Sequence, residues 1–243
     1  MKLASPTYLV CTLARLLKYR RHVAVGANSP IPGTAALLAN VISGGLTQVE
    51  ILGSRKYSTF SGLSDLFDCA CRGRLDAFFL SPGQIDGGAN INMVGIGEYP
   101  RLEVRWPGGH GSPLLYMMIP NIILFRADHR VRSLVPKVDF VTAPGTSPAN
   151  VYRPGGPCAL VTGIAQFSFD SEKGQFQLEC IHPGNSLEDV LENTGFEFAH
   201  DVKVTETPPP DADMLELIRD PIARQIAELY PRFSLALRRE ITA

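Results

Sequence analysis

Short apolar runs alternate with helix-like segments along the first 80 residues, and this alternation constrains the fold more than any other feature of the sequence. The strand-like runs cover residues 22–26, 48–52 and 76–80. Between them lie two helix-like segments, one ending at Ile42 and one over residues 63–73. Such a pattern predicts parallel pairing with helices covering the sheet. We therefore expect an α/β fold with an open, mainly parallel sheet, in which ligands gather beyond the carboxyl ends of the strands.

The remainder of the chain continues the pattern and adds a hairpin. Further helices are predicted over residues 4–17, 187–194 and 212–229, and further strands over 121–125, 138–142, 158–162, 165–170 and 176–181. A turn at residues 171–174 joins the last two strands, which predicts a β-hairpin in the C-terminal part. The run of prolines in 207–210 predicts a rigid connector. We expect one α/β domain over residues 1–243.

Composition excludes several classes of protein. Charged residues make up 19% of the chain and the net charge is −1, whereas a nucleic-acid-binding protein normally carries a basic face. The five cysteines are scattered and lack metal or redox spacing, so we expect reduced thiols. No apolar run approaches the ~20 residues that span a membrane. These observations predict a cytoplasmic protein that binds neither nucleic acid nor a membrane.

The densest polar cluster of the sequence, SPGQIDGGANIN at residues 81–92, directly follows a predicted strand. It contains the amides of Gln84, Asn90 and Asn92 and the carboxylate of Asp86. Amides both donate and accept hydrogen bonds, so such a loop suits a bound carbonyl group. The alternative is an array of turns that bonds to itself, because Asn and Asp also favour turns.

A second loop, RWPGGHGSP at residues 105–113, holds three glycines in four positions. Successive backbone N–H groups in such a loop can converge on an oxyanion or a phosphate. His110 lies inside the loop and is either a reactive or a solvent-facing imidazole. Arg126, at the end of a predicted strand, is suited to a carboxylate or phosphate, although an ion pair with Asp128 is equally in keeping with the sequence.

Five ordered segments resemble the β subunits of class I coenzyme A transferases. The run DAFFLSPGQIDGGANIN at 76–92 resembles their Gln-Val-Asp…Gly-Asn-Ile-Asn segment, and 107–112 falls where they have Pro-Gly-Ser-Gly-Gly-Ala. KVDFVTAPG at 137–145 resembles their Lys-Val-Asp-Phe-Ile-Thr-Ser-Pro-Gly. The segments 193–196 and 207–210 match their C-terminal part. The resemblance covers roughly residues 15–225 and implies the fold of that family.

The resemblance also reveals a departure at the nucleophile. Transferases of this family attack the thioester with a glutamate in a Glu-x-Gly sequence just after an early strand, where this chain has VEILGSR at 49–55. Aligning the glycines places Ile51 or Leu52 at the glutamate position. Glu50 is adjacent, but neighbouring strand residues point to opposite faces. We therefore expect the nucleophile to be absent, unless a local bulge brings Glu50 into place.

A second departure is His110, which stands where the family has a glycine. Together the two departures are similar to the pattern of the steroid-ring-cleaving hydrolases of actinobacterial cholesterol catabolism, which resemble the transferases. The implied function is the β subunit of an acyl-coenzyme A hydrolase. It would open the last steroid ring by water-dependent retro-Claisen cleavage of a cyclic keto acyl-coenzyme A.

The resemblance further implies roles and partners. The predicted catalytic residues are His110, Gly111 and Arg126, and the predicted substrate-binding residues are Gln84, Asn90, Asn92, Gly108 and Gly109. A glutamate of an α-type partner subunit would act as general base, in an expected α2β2 assembly. Coenzyme A is part of the substrate, and no separate cofactor or metal is expected.

Two other functions remain open. One is a true transferase of the glutaconate or 3-oxoacid type, acting through Glu50. The other is a non-catalytic subunit that only completes the pocket of its partner.

Overall fold

The computed structural model describes residues 1–242 and divides into two compact units. The first unit comprises residues 4–79 and 208–242, and the second comprises residues 1–3 and 80–207. The prediction of a single domain over 1–243 stays a prediction. No helix within residues 1–242 is long and apolar enough to cross a membrane.

The first unit is a layered arrangement of parallel strands and helices. Its elements are α1 (Pro6–Leu16), β1 (His22–Val25), α2 (Pro30–Ile42), β2 (Gln48–Ile51), α3 (Leu63–Cys71), β3 (Ala77–Leu80), α6 (Ala212–Leu217), α7 (Ala223–Ile226) and α8 (Pro231–Thr242). β1 pairs in parallel with both β2 and β3. Pro6 and Pro30 begin α1 and α2, where a missing N–H costs little. The alternation seen in the sequence therefore folds as expected.

The second unit contains the hairpins and the remaining strands. Its elements are β4 (Gln84–Ile85), β5 (Ile91–Asn92), β6 (Gly95–Ile96), β7 (Val104–Arg105), α4 (Ser112–Met118), β8 (Asn121–Phe125), β9 (Pro157–Val161), β10 (Ala165–Asp170), β11 (Gln175–Ile181), α5 (Leu187–Asn193) and β12 (Ala199–Glu206). β8 pairs in parallel with β9, and β11 in parallel with β12. β10 runs antiparallel to β9 and β11, which confirms the C-terminal hairpin. The predicted α/β class with a mainly parallel sheet flanked by helices is confirmed.

The predicted strand over residues 138–142 is wrong. This segment lies beside the 84–92 loop, and its backbone N–H groups donate hydrogen bonds to that loop. The N–H of Asp139 donates to Gln84 Oε1 over 3.0 Å, and the N–H of Thr142 donates to the carbonyl of Ile91 over 2.8 Å. Val138 is buried whereas Val141 is exposed. The segment therefore has the apolar composition of a strand but is not part of a sheet.

The predicted continuous helix over residues 212–229 is also wrong. It is divided into α6, a turn of π-helix at Ile218–Ile222, and α7. Pro221 lies in that turn, and Asp220 before it adopts extended backbone angles, φ −165° and ψ 125°. A proline has no N–H to donate and disfavours helical angles at the residue before it, so the break falls where the sequence places the proline.

Candidate functional site

The loop at residues 84–92 is a tight hairpin held by the amide of Asn92. β4 and β5 form its two strands. The Asn92 side chain is completely buried, and its Nδ2 donates to Gln84 Oε1 and to the carbonyl of Gly95, each over 2.7 Å. Its Oδ1 accepts from the N–H groups of Val94 and Gly95 over 3.0 and 3.2 Å. Asn92 therefore joins the hairpin to the turn that follows it.

Asp86 and Asn90 close the tip of the same hairpin. Asp86 Oδ1 accepts from the N–H groups of Gly88 and Asn90 over 3.1 and 3.0 Å. The Asn90 amide donates to the Asp86 carboxylate over 3.0 Å and accepts from the N–H of Gly145 over 3.2 Å. These bonds match the alternative in which the loop is an array of turns that bonds to itself. They hold the loop in one conformation. The direct binding of substrate by Gln84, Asn90 and Asn92 stays a prediction.

The glycine loop folds back on this hairpin, so the two loops that the sequence singled out lie together. The N–H of Trp106 donates to the carbonyl of Val94 over 2.7 Å, and the N–H of Gly108 donates to the carbonyl of Met93 over 3.2 Å. The Trp106 ring lies against Gly83, where an added Cβ would come within 2.1 Å of it. A glycine is thus required at position 83, because the ring occupies the space of any side chain.

The end of the glycine loop is shaped for backbone hydrogen bonding. Gly111 has a φ of +75° and caps α4 without a side chain, so no side chain of the capping residue covers the first N–H groups of this helix. The Ser112 hydroxyl donates to the carbonyl of Gly108 over 2.8 Å and fixes the turn. His110 is exposed at its tip. The predicted roles of Gly108, Gly109, His110 and Gly111 at the site stay predictions.

Arg126 is bonded inside the protein. Its Nε donates to Asp128 Oδ1 over 2.8 Å, its Nη1 to the carbonyl of Pro82 over 2.7 Å, and its Nη2 to the Ser133 hydroxyl over 3.2 Å. Burial alone would raise the pKa of Asp128, but the adjacent guanidinium and hydrogen bonds hold that pKa below its ordinary value. These contacts match the ion-pair alternative. The binding of substrate by Arg126 stays a prediction.

A second arginine, Arg153, was missed by sequence reasoning. It lines a cavity of about 380 Å³ in the second unit. Its Nε donates to the carbonyl of Gly155 over 2.9 Å and its Nη1 to the carbonyl of Pro144 over 2.8 Å. Nη2 is buried and has no hydrogen-bond partner within the described part of the chain. The guanidinium therefore has one unsatisfied N–H group within the wall of the cavity.

Tyr116 connects this cavity to the two loops. The Arg153 guanidinium lies 5.5 Å from the centre of the Tyr116 ring, and the Tyr116 hydroxyl donates to the carbonyl of Ala89, in the 84–92 hairpin, over 2.7 Å. Tyr116 belongs to α4, the helix that follows the glycine loop. The signal in the sequence was a lone arginine within a proline- and glycine-rich stretch, just before the buried strand β9.

Glu50 lies in the first unit and is enclosed. Its side chain is 1% exposed, and its two carboxylate oxygens accept from the N–H and the hydroxyl of Thr59, each over 2.7 Å. The pairing of β1 with β2 runs without a shift from His22–Gln48 to Val25–Ile51. Glu50 therefore shares a face with His22, whereas Ile51 lies on the opposite face, next to Gly33 of α2. The bulge that would bring Glu50 to the position of Ile51 does not form.

Comparison with known proteins gives a consistent family. The model of the family described as coenzyme A transferase matches residues 1–193. The chain is 33% identical over 162 residues to the B subunit of 3-oxoadipate CoA-transferase from Pseudomonas knackmussii, covering 64% of this chain and 62% of that protein. It is 35% identical over 152 residues to the B subunit of glutaconate CoA-transferase from Acidaminococcus fermentans, covering 59% and 56%. The matched regions thus span less than two thirds of these relatives.

More distant relatives include enzymes with other activities. The cholesterol ring-cleaving hydrolase IpdB subunit of Rhodococcus jostii is 27% identical over 159 residues, covering 64% of this chain and 62% of that protein. Among solved structures, the decarboxylase AibA/AibB superposes with a TM-score of 0.75 at 24% identity, covering 96% of this chain and 98% of that one. The glutaconate coenzyme A-transferase of Acidaminococcus fermentans superposes with a TM-score of 0.76 at 24% identity, covering 89% and 94%. These superpositions establish a shared fold.

Proposed function

The chain belongs to the coenzyme A transferase family, and from this premise we propose that it is the β-type subunit of a heteromeric hydrolase that opens a cyclic β-keto acyl-coenzyme A with water. The substrate would be of the kind left by the last steroid rings. An α-type subunit would complete the enzyme, in an α2β2 assembly. The distant IpdB relative is a ring-cleaving hydrolase subunit, which supports this choice.

The observation that carries the proposal is that no carboxylate occupies the position of the family's nucleophile. Both residues that align with the family's glutamate, Ile51 and Leu52, are apolar. The nearest carboxylate, Glu50, is buried, bonded twice to Thr59 and turned to the opposite face of β2 from Ile51. A carboxylate held in this way is shielded from a thioester carbon. Chemistry through a glutamyl thioester is therefore disfavoured in this subunit.

Hydrolytic cleavage needs a base, an oxyanion site and no nucleophile from this chain. A carboxylate of the partner subunit would take a proton from water, and the resulting hydroxide would add to the ring ketone. The bond between the ketone carbon and the α-carbon of the thioester then breaks, and its electron pair forms the thioester enolate. Protonation of the α-carbon by the same carboxylic acid restores the thioester, and the new carboxylic acid loses its proton to solvent to give a carboxylate.

The second unit offers groups for the two charges of this reaction. The backbone N–H groups at the end of the glycine loop, around Gly111, would stabilise the enolate oxygen. The Arg153 guanidinium, which lines the cavity, would bind the tetrahedral oxyanion that becomes the new carboxylate. A cavity of about 380 Å³ is within the size range of small-ligand sites.

We predict that Arg153→Ala lowers kcat/KM by about 10- to 100-fold, because a charged hydrogen bond to the oxyanion that becomes the new carboxylate is lost. Steady-state ring opening by the assembled enzyme measures this effect. Arg126→Ala is the matched comparison. It should lower the free energy of unfolding by about 1–3 kcal/mol, since Asp128 loses its partner, and should reduce kcat/KM less than Arg153→Ala. An unchanged kcat/KM in Arg153→Ala would remove this residue from the site.

A second candidate function is a true transferase, and the identity of 33% and 35% to two transferase subunits favours it. Its mechanism requires the carboxylate of Glu50 to attack the thioester. The two candidates therefore differ in one covalent intermediate, which chemical trapping can detect.

We predict that Glu50 does not become acylated. Incubation of the assembled enzyme with acyl-coenzyme A, followed by hydroxylamine or borohydride and peptide mass spectrometry, should leave Glu50 unmodified. Glu50→Gln should retain ring opening within a factor of about three, with the exposed Glu98→Gln as control. A trapped adduct at Glu50, with activity lowered by roughly 10³-fold or more in Glu50→Gln, would establish the transferase instead.

A further inference from the structure

A large groove lies at the amino ends of the parallel strands in the first unit. Its volume is about 1530 Å³, and its walls include the start of β1, the start of β2 and the C-terminal ends of α1 and α2. The position of the family's glutamate, at Ile51 and Leu52, lies at the carboxyl end of β2. The groove therefore lies at the other end of β2 from the position where the family's transferases have their glutamate.

The groove concentrates positive charge in a chain whose net charge is −1. The charged side chains that line it, histidine apart, are Arg15, Lys18, Arg20, Arg21, Arg74 and Asp211. Five positive charges and one negative charge give a formal local charge of +4. Arg20 Nε is buried and has no hydrogen-bond partner among residues 1–242. A concave, basic surface of this kind attracts a ligand with several negative charges.

An aromatic ring is held at the edge of the groove in a strained backbone conformation. Tyr19 has a φ of +68°, in the left-handed region that bulky residues rarely adopt, and it is 85% exposed. The Lys18 ammonium lies 5.0 Å from the centre of its ring. Strain of this type is often retained at functional positions, and an exposed ring beside a cation suits stacking on a planar ligand.

The wall of the groove is held by hydrogen bonds. The Thr47 hydroxyl donates to the carbonyl of Arg20 over 2.9 Å, and the Asn40 amide donates to the carbonyl of Thr47 over 2.7 Å. On the other side, His22 Nδ1 donates to the carbonyl of Arg74 over 3.0 Å. These bonds fix the backbone at two of the five basic residues, Arg20 and Arg74. Less conformational entropy is therefore lost when a ligand binds.

We propose that this groove binds an organic phosphate carrying an aromatic ring, of the nucleoside diphosphate class. The phosphates would lie against Lys18, Arg20 and Arg21, and the base would stack on Tyr19. The same chemistry is present in free nucleotides and in the ADP portion of coenzyme A. The proposal stands independently of the hydrolase function, because it uses none of the residues assigned to that reaction.

The test is calorimetric titration of the protein with ADP, inorganic pyrophosphate and coenzyme A. ADP should bind, and the double variant Lys18→Glu/Arg21→Glu should lower the affinity for ADP by about tenfold or more. Two side chains that attract the phosphates are then replaced by two that repel them. Tyr19→Ala should weaken ADP but leave pyrophosphate unchanged. Lys203→Glu, at an exposed position of β12, is the matched control and should bind ADP as the unmodified protein does.

Coenzyme A distinguishes the two sources of the ligand. A parallel loss of coenzyme A binding in the double variant assigns the groove to that molecule, whereas unchanged coenzyme A binding with loss of ADP assigns it to a free nucleotide. If thermal unfolding shows that the double variant is misfolded, Lys18→Glu alone is used. Absence of ADP and pyrophosphate binding, or ADP binding that is equal in the charge-reversed and control variants, would overturn the proposal.

Discussion

Asn92→Leu is expected to lower the free energy of unfolding by about 3–5 kcal/mol, although leucine also fits a buried position. Leucine cannot replace any of the four hydrogen bonds of the buried amide. The N–H groups of Val94 and Gly95 lose their acceptor, and Gln84 Oε1 loses a donor, in a place that water does not reach. Urea denaturation at pH 7 measures the change.

The glycine loop should be loosened by the same substitution. Gly108 and Trp106 are bonded to Met93 and Val94, the two residues that follow Asn92. The exposed Asn150 provides a matched control, since Asn150→Leu should change the free energy of unfolding by less than about 0.5 kcal/mol. A loss in Asn92→Leu no larger than in this control would contradict the structural role of the amide.

Acidification from pH 7 to pH 4 is expected to remove about 3 kcal/mol of stability for each of two buried histidines. Burial lowers the pKa of His129 to about 4 and that of His182 to about 4, from an ordinary value of 6.5. His129 lies between the hydroxyls of Thr162 and Thr194, at 2.8 and 2.9 Å. The Thr194 hydroxyl donates to the carbonyl of Val190, so its oxygen accepts from Nε2–H of the imidazole.

The direction of the effect follows from proton uptake. The unfolded chain protonates these imidazoles near pH 6.5, whereas the folded chain protonates them only near pH 4. The unfolded state therefore binds more protons in that window, and the stabilisation is fully present above pH 6.5 and is lost as the pH falls towards 4. His129→Gln should flatten the pH dependence, and the exposed His200→Gln should not. An equal dependence of the free energy of unfolding on pH in the unmodified protein and both variants would refute this account.

Much of the fold was predictable because the signals are local. The strands β1, β2, β3 and β8 are short apolar runs bounded by polar turns, and each was predicted to within one residue at either end. β12 was missed because its side chains are largely exposed, so it lacks an apolar face. The error at 138–142 has the opposite cause, since this apolar segment bonds to a loop that lies far away in the sequence.

The sequence identified the two loops of the candidate site, but few of their contacts. The density of Gly, Asn and Asp identified the first loop and the three glycines identified the second, and the structure brings them together through Trp106 and Gly108. The ion pair of Arg126 with Asp128 was one of the alternatives that the sequence offered. The inward hydrogen bonds of Asn92 depend on backbone geometry that no local pattern encodes. Arg153 was missed for the same reason, because its free donor is defined by carbonyl groups that the fold supplies.

The most direct test of the proposed hydrolase is turnover of a cyclic β-keto acyl-coenzyme A by the assembled enzyme, in ¹⁸O-labelled water, with and without an added carboxylate acceptor. The account predicts ring opening that needs no acceptor, ¹⁸O in the new carboxylate and coenzyme A still attached to the product. Turnover that depends on the acceptor, with coenzyme A transferred to it and an acyl adduct on Glu50, would contradict the account.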